Sequence, residues 1–551
     1  MSGGPANRGW GRAIVDGLAR LGAGRFFASP GARGSALLAA LAGRGGDVAM
    51  HYDERGAGFA ALGWAMASGK PAVCLVTSGS AVANLLPACV EAFYSGIPLV
   101  LLTADRPPEL RDKGANQTIR QVGLFGNFVG YSADLPCPGA EADFDKLFGI
   151  LREAMECATG ENPGPVHLNA PFREPLLGGE EGVVELPEFR GGAPRGFSLP
   201  QDFDFGRFFS GRGVVLIGRL GVGEQAEAWR CVELAKRLGW AVLADALSGA
   251  KGLEGVVRHV DWILQGGNVP GPERVLHFGG AFVSKRLGEW QAVCRGEDCV
   301  QVRLVPEKLD PWDQSPVLVR GGIAEFCGAV EGFLPKGGGV DASWMQADEA
   351  VGALLERMLD GEGAVSEPGI ARVVSKIDGD LFLGNSMPVR DYDSCGFGGG
   401  RIFGNRGASG IDGNIATIAG VAMAGGRRLT AVLGDLAALH DLNSLPLLRG
   451  LPVALVVVNN DGGGIFRFLP LDVGAEERER LWETPHGFDF RQAAGQFGIR
   501  YAAVGTRAEL EAELRGGNLP VLIECRTERA ANHDLHRRIA EEVRRLGIRW
   551  S

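Results

Sequence analysis

The sequence predicts an α/β protein of three domains, in each of which helices flank a parallel β-sheet. Short apolar, β-branched runs alternate with helical patterns in the first third of the chain, and the same alternation returns in the last third. The middle third starts again with a strand, a glycine loop and a helix. Two stretches rich in glycine and proline, 176–203 and 334–343, separate these parts. A chain of 551 residues is also too long for one hydrophobic core.

The first third contains four short apolar runs that we predict to be buried parallel strands. They are RFFAS at 25–29, DVAMH at 47–51, AVCLVT at 72–77 and PLVLLTA at 98–104. The helical patterns among them lie at 34–43, 55–68 and 81–94. Strands that alternate with helices indicate a parallel sheet, because a parallel pair needs a crossover connection.

The middle third begins with residues 213–239, which we predict to form a strand, a glycine loop and a helix. The glycines of this loop, Gly218, Gly221 and Gly223, do not fit the spacing of a dinucleotide-binding loop. We therefore expect a Rossmann-like domain with a structural role, and we find no flavin signature in it.

The last third repeats the pattern of short apolar runs. The predicted strands are LFLGN at 381–385, RIFGN at 401–405, LTAVLGD at 429–435, VALVVVNN at 453–460 and PVLIEC at 520–525. Helices are predicted among them, including 412–424 and 437–449. In open parallel sheets, ligands bind at the carboxyl ends of the strands, and the polar motifs of this chain follow those ends.

Composition narrows the class of protein. The chain is 45% hydrophobic and 22% charged, as is typical of globular proteins. The formal net charge of −10 disfavours nucleic acid as a partner. The ten cysteines show no zinc-like spacing, so we expect reduced, mostly buried thiols and a cytoplasmic location. No long apolar run occurs, so we expect neither a signal peptide nor membrane insertion.

Two polar motifs follow successive predicted strands of the last third. Asp435 ends the first strand and Asn460 the second, and their separation of 25 positions suits one crossover. Both side chains would then reach the same sheet edge, where Asp435, Asn460 and the carbonyl of Gly462 offer the oxygen ligands that Mg²⁺ prefers. The helix that starts near Leu436 directs N–H groups to the same place. The alternative is that Asp435 caps a helix and the asparagines form a turn.

This arrangement resembles the cofactor motif of the thiamine-diphosphate-dependent decarboxylases and carboligases. In that superfamily an Asp, an Asn and a backbone carbonyl hold Mg²⁺ on the diphosphate of the cofactor. The resemblance implies a pyrimidine-binding domain at 1–185, a central Rossmann-like domain at 200–336 and a diphosphate-binding domain at 345–551. It also implies cofactor contacts at Gly434, Leu436, Ala437, Ser386 and Ile411, with Ile411 bending the cofactor.

Enzymes of this superfamily need a carboxylate beside N1′ of the cofactor's pyrimidine, at the start of a helix in the first domain. Glu54, in the stretch VAMHYDERGAGFAALGWA, follows a predicted strand and precedes a predicted helix. We therefore assign Glu54 as the catalytic acid–base residue. Taken alone, a Glu at this place more often serves only as a favourable charge at a helix N-terminus, and the Asp435–Asn460 motif of the last third shifts the assignment to catalysis.

Eight further motifs together resemble one family, the 2-succinyl-5-enolpyruvyl-6-hydroxy-3-cyclohexene-1-carboxylate synthases of menaquinone biosynthesis. They are SPGAR at 29–33, HYDERG at 51–56, TSGSAVANLLPA at 77–88, LTADRPPEL at 102–110, GANQTIRQ at 114–121, GNSMPVRD at 384–391, NRGASGIDG at 405–413 and NNDGGGIFRFLP at 459–470. That family decarboxylates 2-oxoglutarate on thiamine diphosphate. It then adds the succinyl carbanion equivalent in a 1,4 sense to isochorismate.

The two substrates carry four carboxylates, which planar arginine side chains recognise well. The family motifs contain four arginines that we place in loops at strand ends, and the central domain adds two cations. Together with polar contacts and an apolar wall, the expected substrate residues are Arg33, Arg106, Asn116, Gln117, Lys285, Arg286, Ser386, Arg390, Arg406, Ile465, Phe466 and Leu469.

The resemblance also implies a homodimer or a dimer of dimers, with active sites between subunits. Its cofactors would be thiamine diphosphate and Mg²⁺ or Mn²⁺, without FAD. Two alternatives stay open at this stage. One is another flavin-free thiamine-diphosphate decarboxylase or carboligase of 2-oxo acids, and the other is a catalytically inactive regulatory relative.

Overall fold

A computed structural model of the chain describes residues 3–44, 48–139, 143–177, 197–304, 309–335, 342–361 and 363–550. Most of each predicted separator, 176–203 and 334–343, lies outside the described residues, so the exact domain limits remain predictions. The chain divides into two compact units. The first unit contains residues 1–195, 405–426 and 440–448, and the second contains 196–404, 427–439 and 449–551.

The first unit is built on a six-stranded parallel sheet in the order β2-β1-β3-β4-β6-β5. Its strands are β1 Arg25–Ala28, β2 Val48–Met50, β3 Ala72–Val76, β4 Leu99–Asp105, β5 Tyr131–Asp134 and β6 Pro165–Pro171. The helices among them are α1 Gly3–Arg20, α2 Ser35–Ala42, α3 Glu54–Ser68, α4 Ser80–Ala83, α5 Leu86–Ser95 and α6 Phe144–Thr159. Strands β3, β4 and β6 are buried along their whole length, as expected for the centre of a parallel sheet.

The second unit contains two more six-stranded parallel sheets. The first has the order β12-β11-β10-β7-β8-β9. Its strands are β7 Val214–Ile217, β8 Ala241–Ala244, β9 Val256–Val257, β10 Val275–Phe278, β11 Cys299–Arg303 and β12 Val317–Arg320. The helices of this region are α7 Phe205–Phe209, α8 Val222–Gln225, α9 Trp229–Leu238, α10 Val260–Gly266, α11 Lys285–Gln291, α12 Ile323–Ala329 and α13 Ala342–Leu359.

The other sheet of the second unit has the order β14-β13-β15-β16-β18-β17. Its strands are β13 Asp380–Leu383, β14 Ile402–Phe403, β15 Leu429–Gly434, β16 Val453–Asn459, β17 Arg500–Val504 and β18 Val521–Arg526. The remaining helices are α14 Glu367–Val374, α15 Met387–Cys395, α16 Asn414–Gly425, α17 Asp435–His440, α18 Ala475–Arg478, α19 Arg491–Gln496, α20 Arg507–Arg515 and α21 Arg529–Arg545. The predicted class, three parallel sheets flanked by helices, is confirmed.

Several local predictions need correction. The helix expected at 81–94 is two helices, α4 and α5, because Pro87 favours the first turn of a new helix. The helix expected at 437–449 ends at His440 and continues as a 3₁₀ helix that contains Pro446. The run at 47–51 was expected to be buried, but β2 lies at the sheet edge, where Met50 is 51% exposed.

Helix α16 packs against α3 within the first unit, although more than 300 residues separate them in sequence.

All ten cysteines are free thiols, and seven of them are buried, as the sequence predicted. Over the described ranges, no helix combines the length and the apolar character needed to cross a membrane.

Candidate active site

The paired motifs of the last sheet meet at one edge. Strands β15 and β16 are parallel neighbours, and Gly434 pairs with Val458 in their register. Asp435 follows β15 as the first residue of α17, and Asn460 follows β16. The predicted juxtaposition of the two motifs is therefore present within the second unit, where both side chains are buried.

The Asp435 carboxylate is fixed by backbone donors. Its Oδ1 accepts a hydrogen bond from the Leu436 N–H at 2.7 Å, and its Oδ2 accepts one from the Gly462 N–H at 2.8 Å. Nε2 of His486 lies 3.2 Å from the same Oδ2. Burial raises the pKa of the Asp435 carboxyl, and these neighbours offset that shift only in part. The helical backbone at Leu436 explains why glycine is not required there.

Asn460 presents a buried hydrogen-bond acceptor. Its Nδ2 donates to Glu367 Oε1 at 2.8 Å, whereas its Oδ1 has no hydrogen-bond partner among the residues that the structure describes. A buried amide oxygen without a partner is costly unless a ligand satisfies it. Together with Asp435 and the carbonyl of Gly462, it forms the kind of oxygen donor set that suits a hard divalent cation.

Glycine is required at position 462. Its φ is 128°, and a Cβ there would lie 2.1 Å from the carbonyl oxygen of Glu483. Any other side chain would therefore displace the loop that approaches Asp435.

Ser386 and Arg390 lie at the start of α15. Ser386 has a φ of 69°, and its carbonyl oxygen accepts a hydrogen bond from Arg390 Nη1 at 2.6 Å. Arg390 was expected in a loop, but it lies within the helix, one turn after Ser386. The prediction placed Arg390 in a loop because the motif follows a strand, but the helix begins at once after Ser386. Ser386 and Arg390 are four residues apart and therefore share one helix face.

A cavity of about 670 Å³ in the second unit collects five of the predicted substrate residues. They are Lys285, Arg286, Arg390, Ile465 and Leu469. Arg286 Nη1 lies 2.7 Å from Asp261 Oδ2, and Lys285 Nζ lies 3.2 Å from Glu289 Oε1, so both cations have carboxylate neighbours. Ser386 and Phe466 do not line this cavity, and His533 and His536, which the sequence did not indicate, do.

Glu54 lies where the sequence predicted, as the first residue of α3 after strand β2. Asp53 caps the helix by accepting from the N–H groups of Arg55 and Gly56. The cap leaves the Glu54 side chain outside the helix hydrogen bonds, and Glu54 Oε2 accepts from Asn84 Nδ2 at 3.2 Å. Glu54 is partly exposed.

Arg33 and Arg106 are buried in the first unit, with 7% and 8% of their surface exposed. Arg33 donates to the carbonyl of Phe172 at 3.0 Å and to Glu174 Oε1 at 3.1 Å. Burial, followed by the nearby charge of Arg33, lowers the pKa of Arg106. Two buried guanidinium groups that repel each other favour an anionic ligand.

Gln117 joins this group through Ser78. Its Nε2 donates to the Ser78 carbonyl at 2.9 Å, and the Arg106 guanidinium donates to Ser78 Oγ. Asn116 is exposed beside Gln117. The structure therefore brings Arg33, Arg106 and Gln117 together.

Arg406 and Ile411 lie in the loop between β14 and α16, which also belongs to the first unit. The buried Glu91 carboxylate holds this loop by accepting from the N–H groups of Gly407 and Ala408, both at 2.7 Å. Ile411 is 42% exposed. Sequence reasoning missed Glu91, because a single Glu in an apolar helix carries no motif.

Comparisons with known proteins identify the kind of domain to which each part of the chain is similar. Three family models match successive parts of the chain: the N-terminal TPP binding domain of thiamine pyrophosphate enzymes at 9–124, their middle domain at 195–376 and their C-terminal TPP binding domain at 397–525.

Similar full-length proteins are named 2-succinyl-5-enolpyruvyl-6-hydroxy-3-cyclohexene-1-carboxylate synthase. The one from Rubrobacter xylanophilus is 42% identical, over 97% of this chain and 98% of its own. Those from Salinibacter ruber and Aeromonas salmonicida are 38% and 37% identical, over 97% and 92% of this chain and 96% and 91% of their own. The family that the motifs predicted is confirmed, and the chain belongs to the 2-succinyl-5-enolpyruvyl-6-hydroxy-3-cyclohexene-1-carboxylate synthases among the thiamine-diphosphate-dependent enzymes.

Proposed function

We propose that this protein decarboxylates 2-oxoglutarate and adds the remaining succinyl unit 1,4 to isochorismate. The products are CO₂ and 2-succinyl-5-enolpyruvyl-6-hydroxy-3-cyclohexene-1-carboxylate, an intermediate for menaquinone, with the pyruvyl group retained. The observation that supports a cofactor-bound cation is the buried Oδ1 of Asn460, which has no partner among the described residues and lies at the same sheet edge as Asp435. The names of the full-length relatives support the choice of product.

The metal would be Mg²⁺ or Mn²⁺, held by the Asp435 carboxylate, Asn460 Oδ1 and the Gly462 carbonyl. The residues proposed to contact thiamine diphosphate are Glu54, Ser386, Ile411, Gly434, Leu436 and Ala437. When bound, the cofactor supplies a nucleophilic carbon and an electron sink for the loss of CO₂. We propose that no flavin takes part.

Glu54 would hold a proton against N1′ of the pyrimidine as the general acid–base. The cations proposed to bind substrate carboxylates are Arg33, Arg106, Arg406, Lys285, Arg286 and Arg390. Asn116 and Gln117 would add polar contacts, and Ile465, Phe466 and Leu469 an apolar wall.

The direct test is incubation of the protein with thiamine diphosphate, Mg²⁺ and 2-oxoglutarate, with and without isochorismate. We expect an adduct that forms only with isochorismate, identified by mass spectrometry, and release of CO₂ that matches it in amount. Release of CO₂ without an isochorismate-dependent adduct would instead indicate a decarboxylase or carboligase with another acceptor. If neither CO₂ nor the adduct forms, the protein is a catalytically inactive relative.

Glu54→Gln tests the catalytic assignment. The substitution keeps the size of the side chain and its bond from Asn84 but removes the proton-transfer group. We expect turnover to fall by about 10²–10⁴-fold while the affinity for thiamine diphosphate changes little. Unchanged turnover would refute the role of Glu54.

We also propose a cytoplasmic homodimer, or a dimer of such dimers, with active sites between subunits, as the family resemblance implies. Sedimentation of the protein gives the oligomeric state. Mixing inactive Glu54→Gln and Asp435→Ala proteins, with exchange of subunits, should restore activity if one subunit supplies Glu54 and the other Asp435. Mixed dimers without activity would contradict a shared site.

A further inference from the structure

Glu367 is a buried carboxyl group to which no motif assigns a role. It is the first residue of α14 and is 4% exposed. Burial and the nearby Asp391 raise the pKa of its carboxyl. Within the part of the chain that the structure describes, no lysine or arginine pairs with it. The nearby His536 offsets the rise in this pKa only in part. Burial of a carboxyl group costs free energy, so an apolar residue would be more favourable here unless the oxygens are needed.

Two hydrogen bonds from described residues to Glu367 fall on one oxygen. Oε1 accepts from Asn460 Nδ2 at 2.8 Å and from Thr527 Oγ1 at 3.0 Å. An amide side chain has one donor end and one acceptor end. Because the donor end of Asn460 is held by Glu367, its acceptor end, Oδ1, points away from Glu367 and remains unpartnered.

The neighbouring groups do not provide this orientation. His536 Nε2 lies 2.9 Å from Asp391 Oδ1, so these two residues pair with each other. Thr527 contacts Glu367 rather than Asn460. Oε1 accepts both bonds whether Glu367 is a carboxylate or a neutral acid, because the carbonyl oxygen of the acid also has two lone pairs. The orientation of Asn460 therefore does not depend on the protonation state of Glu367.

We propose that Glu367 is a positioning residue for the divalent cation: it fixes the amide of Asn460 so that Oδ1 faces the metal. The inference rests on the proposed function only in taking Asn460 as a metal ligand. Groups that orient a metal ligand typically change metal affinity by about 10–100-fold when removed. Without Glu367, the amide of Asn460 can rotate and present its N–H₂ end, which repels a cation.

The test measures metal binding rather than turnover. The full-length protein, freed of metal and saturated with thiamine diphosphate, is titrated with Mn²⁺, and unbound Mn²⁺ is followed by electron paramagnetic resonance. We expect Glu367→Met to weaken Mn²⁺ binding by about 10–100-fold. Glu367→Gln retains an acceptor for Asn460 and should stay within a few-fold of wild type. Equal losses in both variants would show that charge, not orientation, matters and would overturn the proposal.

A thermodynamic cycle separates positioning from a general structural effect. If Glu367 acts through Asn460, Glu367→Met should have no further effect on Mn²⁺ affinity in an Asn460→Ala background. A full additional loss in that background would refute the proposal. Thermal unfolding checks that each variant folds. If Glu367→Met does not fold, two other variants test the proposal. Glu367→Gln is compared with wild type, and Thr527→Val is the matched control because it removes only the other hydrogen-bond donor to Glu367. A loss of Mn²⁺ affinity in Thr527→Val as large as the loss in Asn460→Ala contradicts the proposal.

Failure of this inference is distinguishable from failure of the proposed function. Wild-type protein that binds Mn²⁺ with thiamine diphosphate but forms no isochorismate adduct would reject the proposed reaction and leave the role of Glu367 testable. Wild-type protein that forms the adduct while Glu367→Met binds Mn²⁺ normally would reject only the positioning role.

Discussion

Replacing Gly63 with alanine adds one methyl group where α3 packs on α16 inside the first unit. A Cβ at Gly63 would lie 2.1 Å from the carbonyl oxygen of Thr417, and one at Gly420 would lie 2.0 Å from that of Ala60. Close carbon–oxygen contacts normally sit at about 3.3–3.6 Å. The obstructing atoms are backbone, so no side chain can rotate away and the helices must separate by roughly 1 Å.

Two opposing terms set the stability of Gly63→Ala. Overpacking costs about 1–3 kcal/mol, and alanine in place of glycine in a helix interior contributes about 1 kcal/mol. The difference between these two terms is a net loss of about 0–2 kcal/mol. Because Glu54 begins α3, the same displacement should also reduce turnover by about 10²-fold.

Gly149→Ala is the matched control. Gly149 lies inside α6 of the same unit, and a Cβ there would meet no atom within 4 Å. The same chemical change should therefore raise the thermal midpoint slightly while the Gly63 variant lowers it. Both midpoints come from thermal unfolding, and turnover comes from the adduct assay. A Gly63→Ala protein as stable and as active as Gly149→Ala would refute the close-packing argument.

Glu91→Ala removes the acceptor for two backbone N–H groups of the Arg406 loop, so we expect the KM of a carboxylate substrate to rise about tenfold, measured by initial rates. Burial lowers the pKa of His167 to about 4, below its value of about 6.5 in the unfolded chain. The unfolded chain therefore takes up this proton first, and stability that is complete above pH 6.5 is lost as the pH falls toward 4, by about 2 kcal/mol at pH 5. His167→Gln should show a smaller fall in thermal midpoint between pH 7 and 5, and an identical fall would contradict the assignment.

Elements with strong patterns were predictable from the sequence. The apolar runs of β15 and β16 predicted buried strands, and the spacing of Asp435 and Asn460 predicted that both would reach one sheet edge. Strand β17 was missed because it lies at an edge and most of its residues are half-buried, so it lacks an apolar run. Whether such an edge segment forms a strand depends on the residues that pack against it, and a local sequence pattern does not contain them.

The sequence by itself determined the parallel α/β architecture, the cofactor motif and the family, because these depend on local periodicity and on residues close together in the chain. Only the tertiary structure decided which polar groups hold the predicted site residues and loops in place. Glu367 is 93 positions from Asn460, and Glu91 is more than 300 from the Gly407 and Ala408 amides that it binds. The identity of such partners follows from how distant segments pack and which buried polar atoms then need satisfying.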